Sequence, residues 1–329
     1  MSALDGDDEV GIVDAVERRR KSLFDPSRAG LRFVALFFIC LFQFGSYFCL
    51  DNPAALEETM LGVMGVSKTA YGLLYTVYSW PNALIPLLGG YLVDRSLGVA
   101  AGSVVFAAFV ALGQFVFAGG AFFGSFVVMV VARVIFALGG ETLAVCGNSY
   151  AVKWFKGKEL NLVFGIQLSF SRLGSSVNFW VMKPLYDWFS AALVSPGYEA
   201  LGLALGIGGL STLASLLFCV ALATLDRRRD RWQLHAEALR RDLGTPLPPP
   251  RRHGSADPLQ DDDDSNVETT DKQSTVQLRE VLSFPLTFWL LCCICVGFYA
   301  AVFPFIGFAG VFFESKFGLS ATQAAQCGR

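Results

Sequence analysis

Apolar residues gather along the chain in windows of about twenty, the length a helix needs to cross the hydrocarbon core of a bilayer. Seven windows stand out: Phe33–Leu50, Thr69–Val93, Ala101–Gly124, Ser125–Val152, Asn161–Met182, Leu201–Leu225 and Leu286–Gly310. Together they make up half of the 329 residues, and the charged residues inside them are Arg133, Glu141 and Arg172. The pattern predicts an all-α membrane protein. The stretch before the first window, Met1–Arg32, opens with Asp5, Asp7, Asp8 and Glu9 and has no small-residue cleavage site after a short apolar run. The first span is therefore expected to stay in the mature protein.

Composition agrees. Hydrophobic residues are 53% of the chain and charged residues 16%, against roughly 25% charged in a soluble domain. That excludes an ordinary cytosolic globule and excludes disorder as the dominant state. With a formal net charge of -2, the chain as a whole is not built to bind nucleic acid.

The positive charges are localised, and they predict an orientation. The leader carries Arg18, Arg19, Arg20, Lys21, Arg28 and Arg32; the connection after the second span carries Arg95; that after the fourth, Lys153, Lys156 and Lys158; that after the sixth, Arg227, Arg228, Arg229 and Arg231. Every second connection is basic. The intervening ones hold Asp51, Glu57 and Glu58 against Lys68, then no charge over Gly119–Ser125, then Asp187 and Glu199. The positive-inside rule puts the leader and the long loop in the cytosol.

The predicted organisation is a cytosolic leader (1–30), a six-helix N-terminal half (31–225), a cytosolic and largely disordered linker (226–283), a seventh helix (284–313) and the start of a second half (314–329). The linker begins Arg-rich, with Trp232, Leu234 and Leu239, and reads as an extension of the sixth span lying near anionic headgroups. Headgroup contact is preferred there over a calmodulin-type or nucleic-acid-binding role. Pro246, Pro248, Pro249 and Pro250, then Asp261 to Asp264, cannot bury a core.

Specific residues carry a resemblance. The connection after the second span, Gly90-Tyr91-Leu92-Val93-Asp94-Arg95-Ser96-Leu97-Gly98, resembles the signature between helices two and three of the major facilitator superfamily. It departs from that signature by one extra residue before Gly98 and by Val99 and Ala100 where basic residues are usual. Gly90 would let two helices approach closely, and Asp94 at a helix end, next to Arg95, would pair with a cation and latch one conformation. The fourth span holds a degenerate second signature, Arg133 followed by Ala137 and Gly139. The runs Tyr78-Ser79-Trp80-Pro81-Asn82, Gly139-Gly140-Glu141-Thr142-Leu143-Ala144-Val145, Trp154 to Gly165, Arg172-Leu173-Gly174-Ser175 and Val302-Phe303-Pro304-Phe305-Ile306-Gly307 look like the lysosomal dipeptide uniporter branch of that superfamily. The similarity runs from about Tyr71 to Gly318, and the last five helices of that family have no counterpart here.

The intramembrane charges define a candidate site independently. A charge at mid-membrane costs several kcal/mol unless it is paired or faces a wet cavity. Glu141 lies 14 residues before Phe155 and Arg172 lies 17 after it. At roughly 1.5 Å per residue those offsets are about 21 and 26 Å, so the two groups are expected at similar depth on antiparallel neighbours. Asn148 shares the Glu141 face, and Asn178 is expected near the Arg172 face. A carboxylate and a guanidinium at one level suit a zwitterion: the ammonium on Glu141, the carboxylate on Arg172. The resemblance implies these same roles. The alternative is a Glu141–Arg172 or Glu141–Arg133 pair that only holds helices together; a pair opened by ligand would serve both ends.

Arg133, about 12 Å along the helix from Glu141, is expected to be gating or structural. Tyr299, just before Pro304, and Asn82, beside a kink at Trp80-Pro81, complete the candidate ligand contacts. An enzyme is not expected. His235 and His253 both lie in the polar loop, with no metal spacing; the Cys residues of the spans, Cys292, Cys293 and Cys295 included, read as buried filler; the glycine pairs follow no strand.

The predicted function is passive transport of small zwitterionic peptides out of a lysosome or vacuole, two six-helix halves rocking about a midplane site. Alternatives are a carrier of another organic solute, coupled to protons through Glu141, and a non-transporting scaffold or receptor on the same fold. Partners are then the lipid bilayer, the peptides and, because no Asn-x-Ser/Thr sequon occurs on a non-cytosolic connection, a glycosylated lumenal accessory protein of the kind the resemblance implies. No cofactor is called for. Asp8 to Val13 loosely resembles an acidic dileucine sorting signal. Seven spans are expected to be part of a twelve-helix whole, with Ser320–Gln326 opening an eighth, and the chain alone is not expected to transport.

Overall fold

The computed structural model describes residues 29–82, 85–155, 159–193, 197–242 and 285–318. Among them the regular structure is helical. In chain order the elements are α1 (Ala29–Leu50), α2 (Asn52–Ala55), α3 (Glu57–Met64), α4 (Lys68–Asn82), α5 (Ile85–Leu92), a π turn (Val93–Leu97), α6 (Gly98–Phe122), α7 (Phe126–Trp154), α8 (Glu159–Ala192), α9 (Tyr198–Asp242) and α10 (Leu286–Phe317). Each of the seven apolar windows falls on helix, the second on the pair α4 and α5. By length and composition alone, the stretches Gly30–Leu50, Ile85–Phe122, Phe126–Trp154 and Tyr198–Trp232 are each able to cross a membrane; the second runs through the π turn and so joins half of one window to the next.

These helices bury an apolar interior and also face outward with apolar side chains, as helices in lipid must. Phe42, Phe117, Phe136, Ile39 and Met129 are fully buried, while Phe33, Phe37, Leu112 and Val127 are exposed. With lipid as apolar as the core, association depends on close approach of backbones. The α6–α7 crossing shows it reciprocally. A Cβ on Gly113 would lie 2.6 Å from the Phe136 backbone nitrogen, and one on Gly139 would lie 2.5 Å from the Phe106 carbonyl oxygen. α9 packs on α6 and α1, α1 also on α8, and α4 and α5 on α7.

One end of the bundle is tied by charge. Asp226, buried on α9, accepts from Lys153 Nζ at 2.7 Å and Trp154 Nε1 at 3.2 Å on α7; Lys153 also reaches Asp230 at 2.9 Å. The Arg229 guanidinium lies 4.5 Å from the Trp154 ring centre. Arg32 on α1 donates to the Trp154 carbonyl and pairs with Glu159 on α8. The basic termini of α1, α7 and α9 thus converge, as alternation of basic connections requires.

α9 is the longest helix among the described residues. Its 45 residues form a continuous helix through Asp242, which at 1.5 Å per residue is about 68 Å, against about 30 Å of hydrocarbon. The Arg-rich start of the linker therefore extends the sixth span as helix. The leader, the Pro- and Asp-rich linker and Ser320–Gln326 lie outside the described residues. The chain divides into two compact units at Gln260. The second contains α10, a 32-residue helix whose described part begins with an apolar stretch, Leu286–Phe298.

Candidate functional site

Where α1, α4 and α7 meet, a small, shallow cleft is lined by Ser46, Tyr47, Leu50, Tyr78, Phe136, Gly140 and Glu141. Glu141 is half-buried on α7, and its Oε1 accepts a hydrogen bond from the Tyr78 hydroxyl at 2.9 Å. Arg172 is exposed on α8, its guanidinium 5.9 Å from the ring centre of Tyr47. Tyr47 on α1 is therefore the common neighbour of the two charges: it lines the cleft beside Glu141 and offers its face to Arg172. Among the described residues neither Glu141–Arg172 nor Glu141–Arg133 is an ion pair.

Arg133 is placed differently. It is 2% exposed, donates from Nη2 to the Leu50 carbonyl at 2.8 Å, and lies 5.0 and 5.6 Å from the ring centres of Phe117 and Phe136. Its Nε and Nη1 have no hydrogen-bond partner among the described residues. A guanidinium held by a carbonyl and two aromatic faces is sandwiched behind the Leu50–Phe136 wall of the cleft, consistent with a structural role.

The signature after the second span takes an unexpected shape. Val93–Leu97 form a π turn, in which the Gly98 amide closes on the Val93 carbonyl and Gly98 adopts φ 70°. A π turn holds one more residue than an α turn, so it absorbs the extra residue that precedes Gly98. Asp94 is exposed and forms no ion pair among the described residues; exposed Arg95 donates to the Tyr91 hydroxyl and stacks 5.6 Å from that ring's centre. The close helix approach expected at Gly90 falls one residue earlier. A Cβ on Gly89 would lie 2.3 Å from Thr142 Oγ1, whereas one on Gly90 would meet Val145 at an ordinary 3.8 Å.

Asn178 does not face the cleft: it is fully buried and donates to Asn52 Oδ1. A step of six residues turns a helical side chain well away from the starting face, and here that direction points at α2. Asn148 accepts from Gln167 Nε2 at 3.3 Å, and Ser171 donates to Gln43 Oε1 at 3.0 Å, so a polar seam joins α1, α7 and α8. Asn82 ends α4 one turn after Tyr78, half-buried, with Oδ1 unpartnered among the described residues. The side chains of Trp80, Pro81 and Tyr299 lie outside the described residues. Sequence reasoning missed Ser46, Tyr47 and the role of Tyr78. The available signal was the i, i+4, i+7 spacing of Tyr71, Tyr75 and Tyr78, one polar-tipped aromatic stripe on α4.

The family model for the Major Facilitator Superfamily matches residues 33–328. The chain belongs to that superfamily. Among curated relatives, the chain is 44% identical over 304 residues to "Lysosomal dipeptide transporter MFSD1" of Homo sapiens, a match covering 92% of this chain and 58% of that protein. The proteins of the same name from Bos taurus and Danio rerio are 42% and 40% identical, covering 97% and 98% of this chain and 62% and 63% of theirs. The chain thus spans about three fifths of the length of the relatives it matches. A crystal structure of the peptide transporter POT in complex with sulfate superposes with a TM-score of 0.47 at 17% identity, covering 68% of this chain and 45% of that one. The fold is the all-α membrane transporter fold of the superfamily, present here as the six-helix half and the seventh helix.

Proposed function

We propose that the protein containing this chain is a dipeptide uniporter of the lysosomal or vacuolar membrane, with the basic ends of α1, α7 and α9 in the cytosol. One observation carries the reading: a carboxylate on α7 and a guanidinium on α8 flank Tyr47 without pairing with each other. Glu141, half-buried, has the Tyr78 hydroxyl on one oxygen, and Arg172, exposed, faces the Tyr47 ring; charges within a membrane are costly unless a partner, a ligand or a wet cavity satisfies them. A short peptide carries the complementary pair at its two ends, its ammonium for Glu141 and its carboxylate, held bidentate, for Arg172. The names of the curated relatives support the same substrate class. Asn82 is assigned to the ligand's remaining polar contacts, and Gly90, Asp94, Arg95 and Arg133 to movement or support of the half-bundle. A glycosylated lumenal partner fits the absence of sequons on the non-basic connections.

Counterflow of a labelled dipeptide into proteoliposomes holding the full-length protein tests this. The wild type is expected to exchange dipeptide without an imposed pH gradient, and Glu141→Gln and Arg172→Ala to lose exchange while unfolding at the same temperature as wild type. Full exchange in both variants sinks the site. Strict dependence on a proton gradient replaces the uniporter with a proton-coupled carrier, and absence of exchange in a well-folded wild type favours a scaffold.

A further inference from the structure

Tyr78 lines the cleft, and the reading above gives it no part. Its hydroxyl donates to Glu141 Oε1 at 2.9 Å, from α4 to α7. Its ring packs against Phe136, with centres 6.2 Å apart. Room for the hydroxyl comes from Gly140, the residue before Glu141, where a Cβ would sit 3.3 Å from it. Tyr78 is also the protein donor to Glu141 among the described residues.

A carboxylate on a flexible side chain loses recognition energy by sampling several rotamers. A single fixed donor selects one rotamer, engages one oxygen and leaves the other for a cation. We propose that Tyr78 is a positioning residue that aims Glu141 at the ammonium end of a zwitterionic ligand, an inference that rests on the assignment of Glu141 above. It also ties ligand recognition to α4, the half of the second span that ends at Asn82.

The test uses the full-length protein, dialanine, and its N-acetyl and C-amide derivatives, with affinities read by competition. Tyr78→Phe keeps the ring against Phe136 and removes the hydroxyl. Hydrogen bonds to charged groups are worth enough that dialanine and its C-amide should bind about ten-fold more weakly. The N-acetyl derivative, which has no ammonium, should bind as it does to wild type. Equal weakening of all three ligands, as general disruption would give, overturns the proposal, and so does no weakening of any. If Tyr78→Phe does not fold, the milder Gly140→Ala, whose Cβ would sit 3.3 Å from the hydroxyl and displace it by a few tenths of an ångström, should show a smaller loss confined to the ligands that carry an ammonium. Glu141→Gln separates the two readings: if it leaves dialanine affinity intact, the site assignment fails. If it weakens dialanine and Tyr78→Phe does not, the positioning role alone fails.

Discussion

Gly139→Ala is the sharpest test of how the half-bundle is held. The new Cβ would lie 2.5 Å from the Phe106 carbonyl oxygen, 2.9 Å from Val110 Cγ2 and 2.9 Å from the Val110 backbone nitrogen. Two of these neighbours are backbone and cannot rotate away. Close carbon–oxygen contacts sit at about 3.3 Å or more, so α6 and α7 must separate by roughly 0.8 Å at this level. Overpacking of this kind costs about 1–3 kcal/mol, partly offset by the roughly 1 kcal/mol by which alanine exceeds glycine in a helix interior. Gly165→Ala on α8, with nothing within 4 Å of its would-be Cβ, gains the propensity without the clash. The difference between the two alanine variants therefore isolates the clash, and should be about 1–3 kcal/mol, or several degrees in thermal unfolding of the purified protein in detergent. Because Glu141 is two residues further along α7, the same displacement should weaken dipeptide binding, misplacement of about 1 Å being enough to disturb a site. Equal unfolding temperatures for the two variants would refute the close backbone crossing.

Asp226→Ala leaves Lys153 and Trp154 Nε1 without their buried acceptor. Breaking a buried pair costs 3–5 kcal/mol, but the Lys153 side chain is 34% exposed and keeps Asp230, so a loss of about 2 kcal/mol is expected, with Asp226→Asn losing less; a larger loss in Asn than in Ala contradicts the network. Glu57, between the first two spans, has its pKa raised above the ordinary carboxyl value of 4.5 by burial, with Lys68 opposing and Glu58 adding to the shift. A raised carboxyl contributes stability that is full below the ordinary value and lost as pH rises through the raised one. Glu57→Gln should therefore match wild type at acidic pH and exceed it at neutral pH in thermal unfolding; the opposite order rejects the buried placement.

The windows of apolar residues located the helices because length and hydropathy belong to single segments. The convergence of Arg32, Lys153 and Arg229 at one end was legible for a similar reason, since connections alternate sides whatever the packing. Counting residues from Phe155 predicts a common level for Glu141 and Arg172, and the structure adds Tyr47 as a neighbour of both. The neighbours of those charges were not legible. Tyr47 and Tyr78 come from α1 and α4, and which face of each helix meets α7 depends on crossings set by glycines such as Gly113 and Gly139, not on periodicity within one helix. The same reason hid Asn178, whose direction is set by Asn52 on α2, and displaced the close approach from Gly90 to Gly89. The π turn at Val93–Leu97 was visible only as a miscount, one residue too many before Gly98.

The most direct test is a structure of the full-length protein with a bound dipeptide. The peptide's ammonium is predicted within hydrogen-bond distance of Glu141 Oε2, with Tyr78 still on Oε1, and its carboxylate on the Arg172 guanidinium above Tyr47. A dipeptide bound elsewhere, or bound with Glu141 and Arg172 paired to each other, would contradict the account.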